Sequence, residues 1–284
     1  MVGVHDVTWQ WFLRWVAFAV TVACGTSGDR TKVSADAQAS GGDRGAAQVQ
    51  AARPEWPLRS GIYFGTSTGR RGFRGWWLFV DSTAAWASVY VPPRSLEVCE
   101  LSGDARRELR FATGAGYRGV RYGFTGTSTE DGFRGRVHSI PGDRRDVADT
   151  SELVLTRVHS WTRDEGWVGQ DLDGYYGNVA QTEEGDLGGV ELLLLAGPDG
   201  GIGTLAFYEG TAGMPYAIKG EVRGSNLTFS IVRNERDVQF SADVEVDRLV
   251  LAAPALQLAG ELLERRATWG EVATTTYEAC PIGP

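Results

Sequence analysis

The sequence has few of the residues that usually carry metal-dependent or nucleophilic chemistry. Its 284 residues include only three cysteines, three histidines and two methionines. Two of the histidines, His138 and His159, lie beyond the N-terminal segment, and they lack the close partner spacing of a zinc site with three or four nitrogen or sulfur ligands. The net charge of −8 argues against a nucleic-acid-binding protein. We therefore expect no cofactor, no zinc site and no nucleic-acid partner.

The apolar segment near the N-terminus is short. Residues 15–23 form an uncharged run that follows Arg14 and ends in small residues. A helix needs about 20 residues to cross a bilayer, so this run is typical of the hydrophobic region of a signal peptide. The sequence therefore predicts a signal peptide over residues 1–23, with a retained membrane anchor as an alternative.

The end of this run, Thr21-Val22-Ala23-Cys24, resembles the lipobox of bacterial lipoproteins. In that family the cysteine is lipidated and becomes the mature N-terminus, which implies a lipid on Cys24. Gly25 follows where inner-membrane lipoproteins carry aspartate, so the resemblance implies an outer-membrane lipoprotein that faces the periplasm or the surface. The alternative is ordinary secretion, with cleavage nearby.

Residues 24–55 contain almost no large apolar side chain and are rich in glycine, serine, alanine and aspartate. Such a segment cannot bury enough apolar surface to offset the entropy lost on ordering. We expect it to be a flexible tether between a membrane anchor and the folded part of the chain.

The remaining cysteines are Cys99 and Cys280. In an oxidising compartment they could form one disulfide that connects the C-terminal segment to the first half of the folded region. The alternative is a buried, unpaired Cys99 in a strand and a free Cys280 near the C-terminus.

Glycine is abundant, with 38 residues or about 13% of the chain, compared with a usual ~7%. Apolar and polar residues alternate with period two in several short segments, and turn signals such as Asp131-Gly132 and Pro141-Gly142 separate them. The clearest such segments are residues 86–91, 109–112, 120–124 and 225–231. The pattern predicts an all-β fold of antiparallel meanders that close into barrels or form sandwiches. Residues 255–266 have a weak helical pattern, but Gly260 favours a strand there.

The folded region contains an internal repeat. Five segments match in the same order, namely 60–65 with 173–177, 75–80 with 189–194, 109–111 with 227–229, 118–122 with 236–240, and 133–137 with 258–262. A repeat of this length indicates a tandem duplication. We predict two units, residues 56–160 and 161–284, with about eight strands each.

Both units open on a Gly-x-Tyr motif, Gly61-Ile62-Tyr63 and Gly174-Tyr175-Tyr176. The motif resembles the Gly-x-Trp that opens the first strand of lipocalin-like (calycin) barrels. In that family an arginine near the last strand packs across the aromatic ring, and Arg157 could do so for Tyr63. The second unit shows no clear equivalent of this arginine. The resemblance implies a lipocalin-like barrel for each unit and names no ligand.

Two motifs raise the question of an enzyme. The string Gly65-Thr66-Ser67-Thr68-Gly69 matches the G-x-S-x-G nucleophile elbow, but it lies between two predicted strands and has a near copy at residues 126–130. A duplicated turn explains it better than a catalytic serine, so we expect no catalytic residue.

The acidic residues Asp171, Asp173 and Asp186 form the best carboxylate group, a candidate for Ca²⁺ without the spacing of an EF-hand. Paired carboxylates could also serve glycoside hydrolysis. The simpler interpretation is a solvated loop at the start of a domain.

Aromatic side chains are concentrated in the first unit, and Tyr63, Trp76, Trp77, Trp86 and Tyr176 are candidate ligand-contacting or core residues. Because neighbouring residues of a strand point to opposite faces, only one of Trp76 and Trp77 can face the interior of its unit. The other contacts a partner or packs against the second unit, and packing is the preferred interpretation.

The sequence thus favours an exported, lipid-anchored protein without enzymatic activity. It would bind a small apolar ligand in a barrel or act as a structural protein of the cell envelope, in contact with an envelope protein. The alternative function is a secreted hydrolase, acting on carbohydrate or ester, that uses the acidic loops of the second unit.

Overall fold

A computed structural model gives the architecture of the folded region. It describes residues 56–69, 72–92, 94–102, 108–116, 119–140, 150–162, 164–165, 169, 172–197, 200–210, 213, 215–233, 236–245, 247–274 and 276–277. All of these lie in one compact unit that spans Ala51–Pro284. The predicted signal peptide and tether, with Cys24, lie outside the described residues.

The first eight strands form a closed antiparallel barrel. Each strand pairs with the next one along the chain, and β8 pairs back with β1, so the sheet has no free edge. The strands are β1 (Gly61–Gly69), β2 (Gly72–Asp81), β3 (Trp86–Val91), β4 (Arg94–Ser102), β5 (Leu109–Thr113), β6 (Arg121–Thr129), β7 (Gly132–Ile140) and β8 (Thr150–His159).

The interior of this barrel holds a buried cluster built from alternate residues of its strands. Phe111 and Phe124 face each other on β5 and β6 with stacked rings, 4.5 Å apart between centroids. Phe133 packs edge-on against Phe111 at 5.3 Å, and Trp76 packs edge-on against Phe124 at 5.9 Å. These aromatic rings occupy the barrel interior and contact one another.

Ten further strands follow. They are β9 (Gly174–Gly177), β10 (Ala180–Gln181), β11 (Leu187–Gly197), β12 (Gly200–Gly210), β13 (Tyr216–Arg223), β14 (Asn226–Arg233), β15 (Arg236–Val244), β16 (Arg248–Ala253), β17 (Leu258–Ala267) and β18 (Thr276–Tyr277). Strands β11 to β17 pair antiparallel in chain order. Strand β9 pairs with both β11 and β17, and β10 adds to β11. The side chains on one face of these strands form a second buried cluster, mostly aliphatic.

A third buried cluster joins the outer face of the β1–β8 barrel to the outer faces of the later strands. It contains Trp77 and Phe79 of β2, Leu193 and Leu195 of β11, and Trp269. The Trp77 and Trp269 ring centroids are 4.4 Å apart, and the Trp269 indole N–H donates to the Leu194 carbonyl at 2.6 Å. The two sets of strands are therefore held together by buried aromatic and aliphatic side chains.

Trp269 is positioned by a short helix, α1 (Trp269–Thr274). The backbone N–H of Thr268 donates to the Glu271 carboxylate at 2.7 Å, and the Glu271 N–H donates to the Thr268 hydroxyl at 3.3 Å. This reciprocal pair is a capping box. The Thr268 hydroxyl also donates to the Glu271 carboxylate at 3.0 Å, and the bonds from the Thr268 N–H and hydroxyl lower the pKa of Glu271 because they favour its charged form.

The all-β prediction is confirmed, and residues 258–267 form a strand, as Gly260 suggested. The fifth segment match is wrong. Residues 258–262 lie in β17, which pairs with β9 as β8 pairs with β1, whereas residues 133–137 lie in β7. In the described part of the chain no helix is both long and apolar enough to cross a membrane.

Candidate functional site

Ser67 of the G-x-S-x-G string is a buried residue of the barrel. The string forms the second half of β1, so it is a strand and neither a turn nor a nucleophile elbow. The Ser67 hydroxyl accepts a hydrogen bond from the Trp76 indole N–H at 2.7 Å, and the side chain is 2% exposed. An elbow requires an exposed hydroxyl at a strand-to-helix turn. This serine positions a core tryptophan.

The two histidines lie on strands at some distance along the chain from that serine. His138 of β7 stands opposite Gly123 of β6, and its ring covers that glycine. The Nδ1 of His159, at the end of β8, lies 2.5 Å from the carbonyl oxygen of the next residue, Ser160.

The acidic candidates Asp173 and Asp186 differ in their surroundings. Asp171 lies outside the described residues. Asp173 is buried, and its carboxylate accepts the backbone N–H of Ala196 at 2.6 Å. The backbone of Asp186 closes an exposed loop with Thr182. Among described residues no group of three metal-ligating side chains could hold an ion.

The aromatic candidates divide between the interior of the barrel and the contact between the strand sets. Trp76 belongs to the interior cluster with Tyr63, whereas Trp77 and Trp86 belong to the third cluster. The Trp77 indole N–H reaches the Thr204 hydroxyl of β12 at 3.3 Å. Trp77 therefore packs against the later strands. This is the preferred one of the two interpretations that the sequence left open, the other being contact with a partner.

Gly61 and Tyr63 of β1 and Arg157 of β8 form an arrangement, here called the Gly-Tyr-Arg contact, where the barrel closes, and Tyr63 stands opposite Arg157 in the strand pairing. The Arg157 guanidinium of β8 donates two hydrogen bonds to the Ser60 carbonyl, at 3.0 and 2.5 Å. A β-carbon at Gly61 would lie 2.6 Å from Arg157 Nε, so the arginine needs glycine there. The Tyr63 hydroxyl donates to the Arg59 carbonyl at 2.6 Å, and burial raises the pKa of Tyr63.

The same contact recurs in the later strands. Arg265 of β17 donates to the Asp173 carbonyl, and a β-carbon at Gly174 would lie 2.8 Å from Arg265 Nε. The Tyr176 hydroxyl donates to the Leu172 carbonyl at 3.0 Å. The expectation that the second unit lacks an equivalent arginine is therefore wrong, and Arg265 stands where Arg157 stands in the barrel.

Glu191 is a buried acid that sequence reasoning missed. It is 2% exposed on β11, and its carboxylate accepts the Tyr208 hydroxyl at 2.6 Å and the Tyr175 hydroxyl at 3.4 Å. Burial raises the pKa of Glu191 to about 7, an effect that the Tyr208 hydrogen bond partly opposes. The available signal was one charge inside the apolar run Val190-Glu191-Leu192-Leu193.

Cys99 lies half-buried on β4 and is disulfide-bonded. The two other cysteines, Cys24 and Cys280, both lie outside the described residues. Strand β18 runs parallel to β4, with Thr276 opposite Ser95 and Tyr277 opposite Leu96.

Comparison of the chain with protein-family models, with curated proteins and with solved structures finds no match. The lipoprotein and lipocalin resemblances therefore stay predictions, and the function has to be argued from the contacts above.

Proposed function

We propose that this chain is an exported, lipid-anchored protein of the cell envelope that acts as a structural or binding module without enzymatic activity. The disulfide of Cys99 is the observation that carries the proposal. Disulfides persist in oxidising compartments and are rare in the cytosol, where thiols are kept reduced. A stable disulfide is therefore what an exported protein is expected to have, and the predicted signal peptide supplies the route.

Cys280 is the proposed partner of Cys99. The parallel register of β18 on β4 pairs residue 276 with 95 and residue 277 with 96. In the sequence Cys280 comes three residues after Tyr277, and Cys99 comes three residues after Leu96. This pairing of Cys99 with Cys280 leaves Cys24, the third cysteine, available for a lipid. The anchor would hold the protein on the membrane through its N-terminus.

The later strands are proposed to form a second eight-stranded barrel, a tandem copy of the first. The ring of pairings from β9 through β11–β17 and back to β9 supports it. The two Gly-Tyr-Arg contacts support it independently, as do the stacked pairs Phe111–Phe124 and Phe229–Phe240. Each feature occurs at an equivalent strand position in both sets.

A structural role is favoured over catalysis because the polar side chains that could act chemically are used by the fold. Ser67 holds Trp76, and the Asp173 carboxylate holds the backbone of Ala196. The alternative hydrolase, which would need the acidic loops, draws no support from these contacts. The mutual packing of rings in the first barrel favours an interior filled by side chains over one that holds an apolar ligand.

The export proposal is tested by trapping thiols in the host cell. Cells are quenched in acid, and free thiols are alkylated with a polyethylene-glycol maleimide before and after reduction. With Cys24 blocked by lipid, the full chain should add no polymer before reduction and two after it. A chain without residues 2–23 should stay in the cytosol and add three polymers, one for each of the three cysteines, without reductant.

Cys280→Ser serves as the control for the pairing, because it should free Cys99 and add one polymer before reduction. Alkylation of the full wild-type chain at Cys99 before reduction would contradict the proposal.

A further inference from the structure

The buried carboxyl of Glu191 lies among apolar side chains and accepts hydrogen bonds from neutral partners alone. Its hydrogen-bond donors are the hydroxyls of Tyr208 on β12 and Tyr175 on β9. In the described part of the chain no arginine, lysine or histidine forms an ion pair with it. A buried carboxylate without a cation is costly, and a neutral carboxylic acid is much less so.

Glu191 lies beside the contact between the two sets of strands. Because residues of a strand alternate, Glu191 points to the same side of β11 as Leu193 and Leu195, and both leucines belong to the third cluster. On β12, Tyr208 and Thr204 likewise share one side, and Thr204 accepts from Trp77 of the barrel. A charge on Glu191 would therefore arise on the face that packs against the barrel.

The charged groups on neighbouring strands do not neutralise this position. Arg266 of β17 donates to the Gly177 carbonyl at 3.0 Å and pairs with Glu264 at 3.2 Å. Arg74 stands on β2, opposite Tyr216 of β13. Glu209, next to Tyr208 on β12, is exposed and pairs with Arg233. The response of this face to pH therefore depends on Glu191 and its two tyrosines.

We propose that Glu191 is a pH-sensitive switch: its protonated form keeps the face of β11 and β12 packed against the barrel, and loss of the proton loosens that contact. The switch does not depend on the lipid anchor or on export. Loosening would expose Trp77 and Trp269 to water, which gives the change an optical signal.

The sign follows from the raised pKa. Between the ordinary value of 4.5 and about 7, the folded chain holds a proton that the unfolded chain has released. The contribution of Glu191 to stability is therefore largest below this window and falls as pH rises through it, by about tenfold in the unfolding equilibrium for each pH unit. Above pH 7 this loss should level off.

The test is chemical denaturation between pH 4 and 9, with tryptophan fluorescence as the readout. It compares wild type with Glu191→Gln and with the control Glu209→Gln. The wild type and the control should lose stability between pH 5 and 7, and Glu191→Gln should lack this loss. The fluorescence of the folded wild type should also shift near pH 7. A Glu191→Gln variant with the wild-type pH profile would overturn the proposal.

A second measurement keeps the proposal testable if Glu191→Gln does not fold. In wild-type protein with carbon-13 at the glutamate side-chain carboxyls, one resonance should titrate near pH 7. Tyr208→Phe removes a hydrogen bond that favours the charged form, so it should move that titration to higher pH. Titration of every glutamate near its ordinary value would overturn the proposal.

Discussion

Gly65→Ala is expected to lower the free energy of unfolding by about 3 kcal/mol or more, at the upper end of what overpacking costs. Gly65 lies in β1 opposite Leu155 of β8, at the strand pair that closes the barrel. A β-carbon there would overlap the Val154 carbonyl oxygen and lie 2.7 Å from its carbon. These atoms belong to the backbone, so no side-chain rotation can relieve the overlap. The two strands would have to separate.

Gly188→Ala provides the matched control. Gly188 is also a strand glycine, on β11, but a β-carbon there would meet nothing within 4 Å. Alanine should be neutral or slightly stabilising at this position, because it reduces the entropy of the unfolded chain. Denaturant unfolding measured by circular dichroism would compare the two variants. Equal stability of Gly65→Ala and Gly188→Ala would contradict the closed pairing of β1 with β8.

The two Gly-Tyr-Arg contacts give the second large effect. Arg157→Ala removes two charge-assisted hydrogen bonds to the Ser60 carbonyl, and Arg265→Ala removes the equivalent bond to the Asp173 carbonyl. Each variant should lose about 2–3 kcal/mol of stability. Thermal unfolding should register this as a fall in Tm of roughly 4–12 °C for a domain of this size. Lysine should recover little, since it lacks the planar fork of donors.

Exposed arginines on the same strand sets serve as controls. Arg136 of β7 and Arg223 of β13 each form an exposed ion pair, with side chains 66% and 83% exposed. Their alanine variants should lose at most about 1 kcal/mol. If Arg157→Ala or Arg265→Ala behaved like these controls, the corresponding Gly-Tyr-Arg contact would not contribute to the stability of the fold.

The parts of the fold that the sequence predicted correctly are those with a local pattern. Period-two alternation marked the strands over residues 86–91 and 109–112, and it required Trp76 and Trp77 to face opposite sides. The match between residues 75–80 and 189–194 also agrees with the pairings, since Leu78 stands opposite Tyr63 and Leu192 opposite Tyr176.

Arg265 was missed because the repeat was aligned incorrectly near its end. The match of residues 133–137 with 258–262 aligned β17 with β7, whereas its counterpart is β8. In the observed pairings Arg265 stands opposite Tyr176 as Arg157 stands opposite Tyr63, so the segment that matches Leu155-Thr156-Arg157 is Leu263-Glu264-Arg265. The fourth match aligned Tyr122 with Phe240 and is shifted by two residues. The residue equivalent to Phe240 is Phe124, because Phe124 stacks on the preceding strand as Phe240 does. A weak match can thus be wrong in register, as the fourth was, or in the strand that it assigns, as the fifth was.

Glu191 and α1 depended on contacts between residues distant in sequence. The acid is buried because Tyr208 lies beside it on β12, and a single strand pattern does not show which neighbour covers a polar residue. The helix had a local signal, Thr268 followed by Glu271, but it is only six residues long and has no apolar period. Its position depends on the contact of Trp269 with Trp77.

The most direct test of the exported, lipid-anchored protein proposed here is metabolic labelling with palmitate in a bacterial host. The full wild-type chain should take up label, and Cys99→Ala should keep it, because that cysteine is assigned to the disulfide. Cys24→Ala should lose the label. Label that survives in Cys24→Ala would contradict the account, as would a wild-type chain that takes up none.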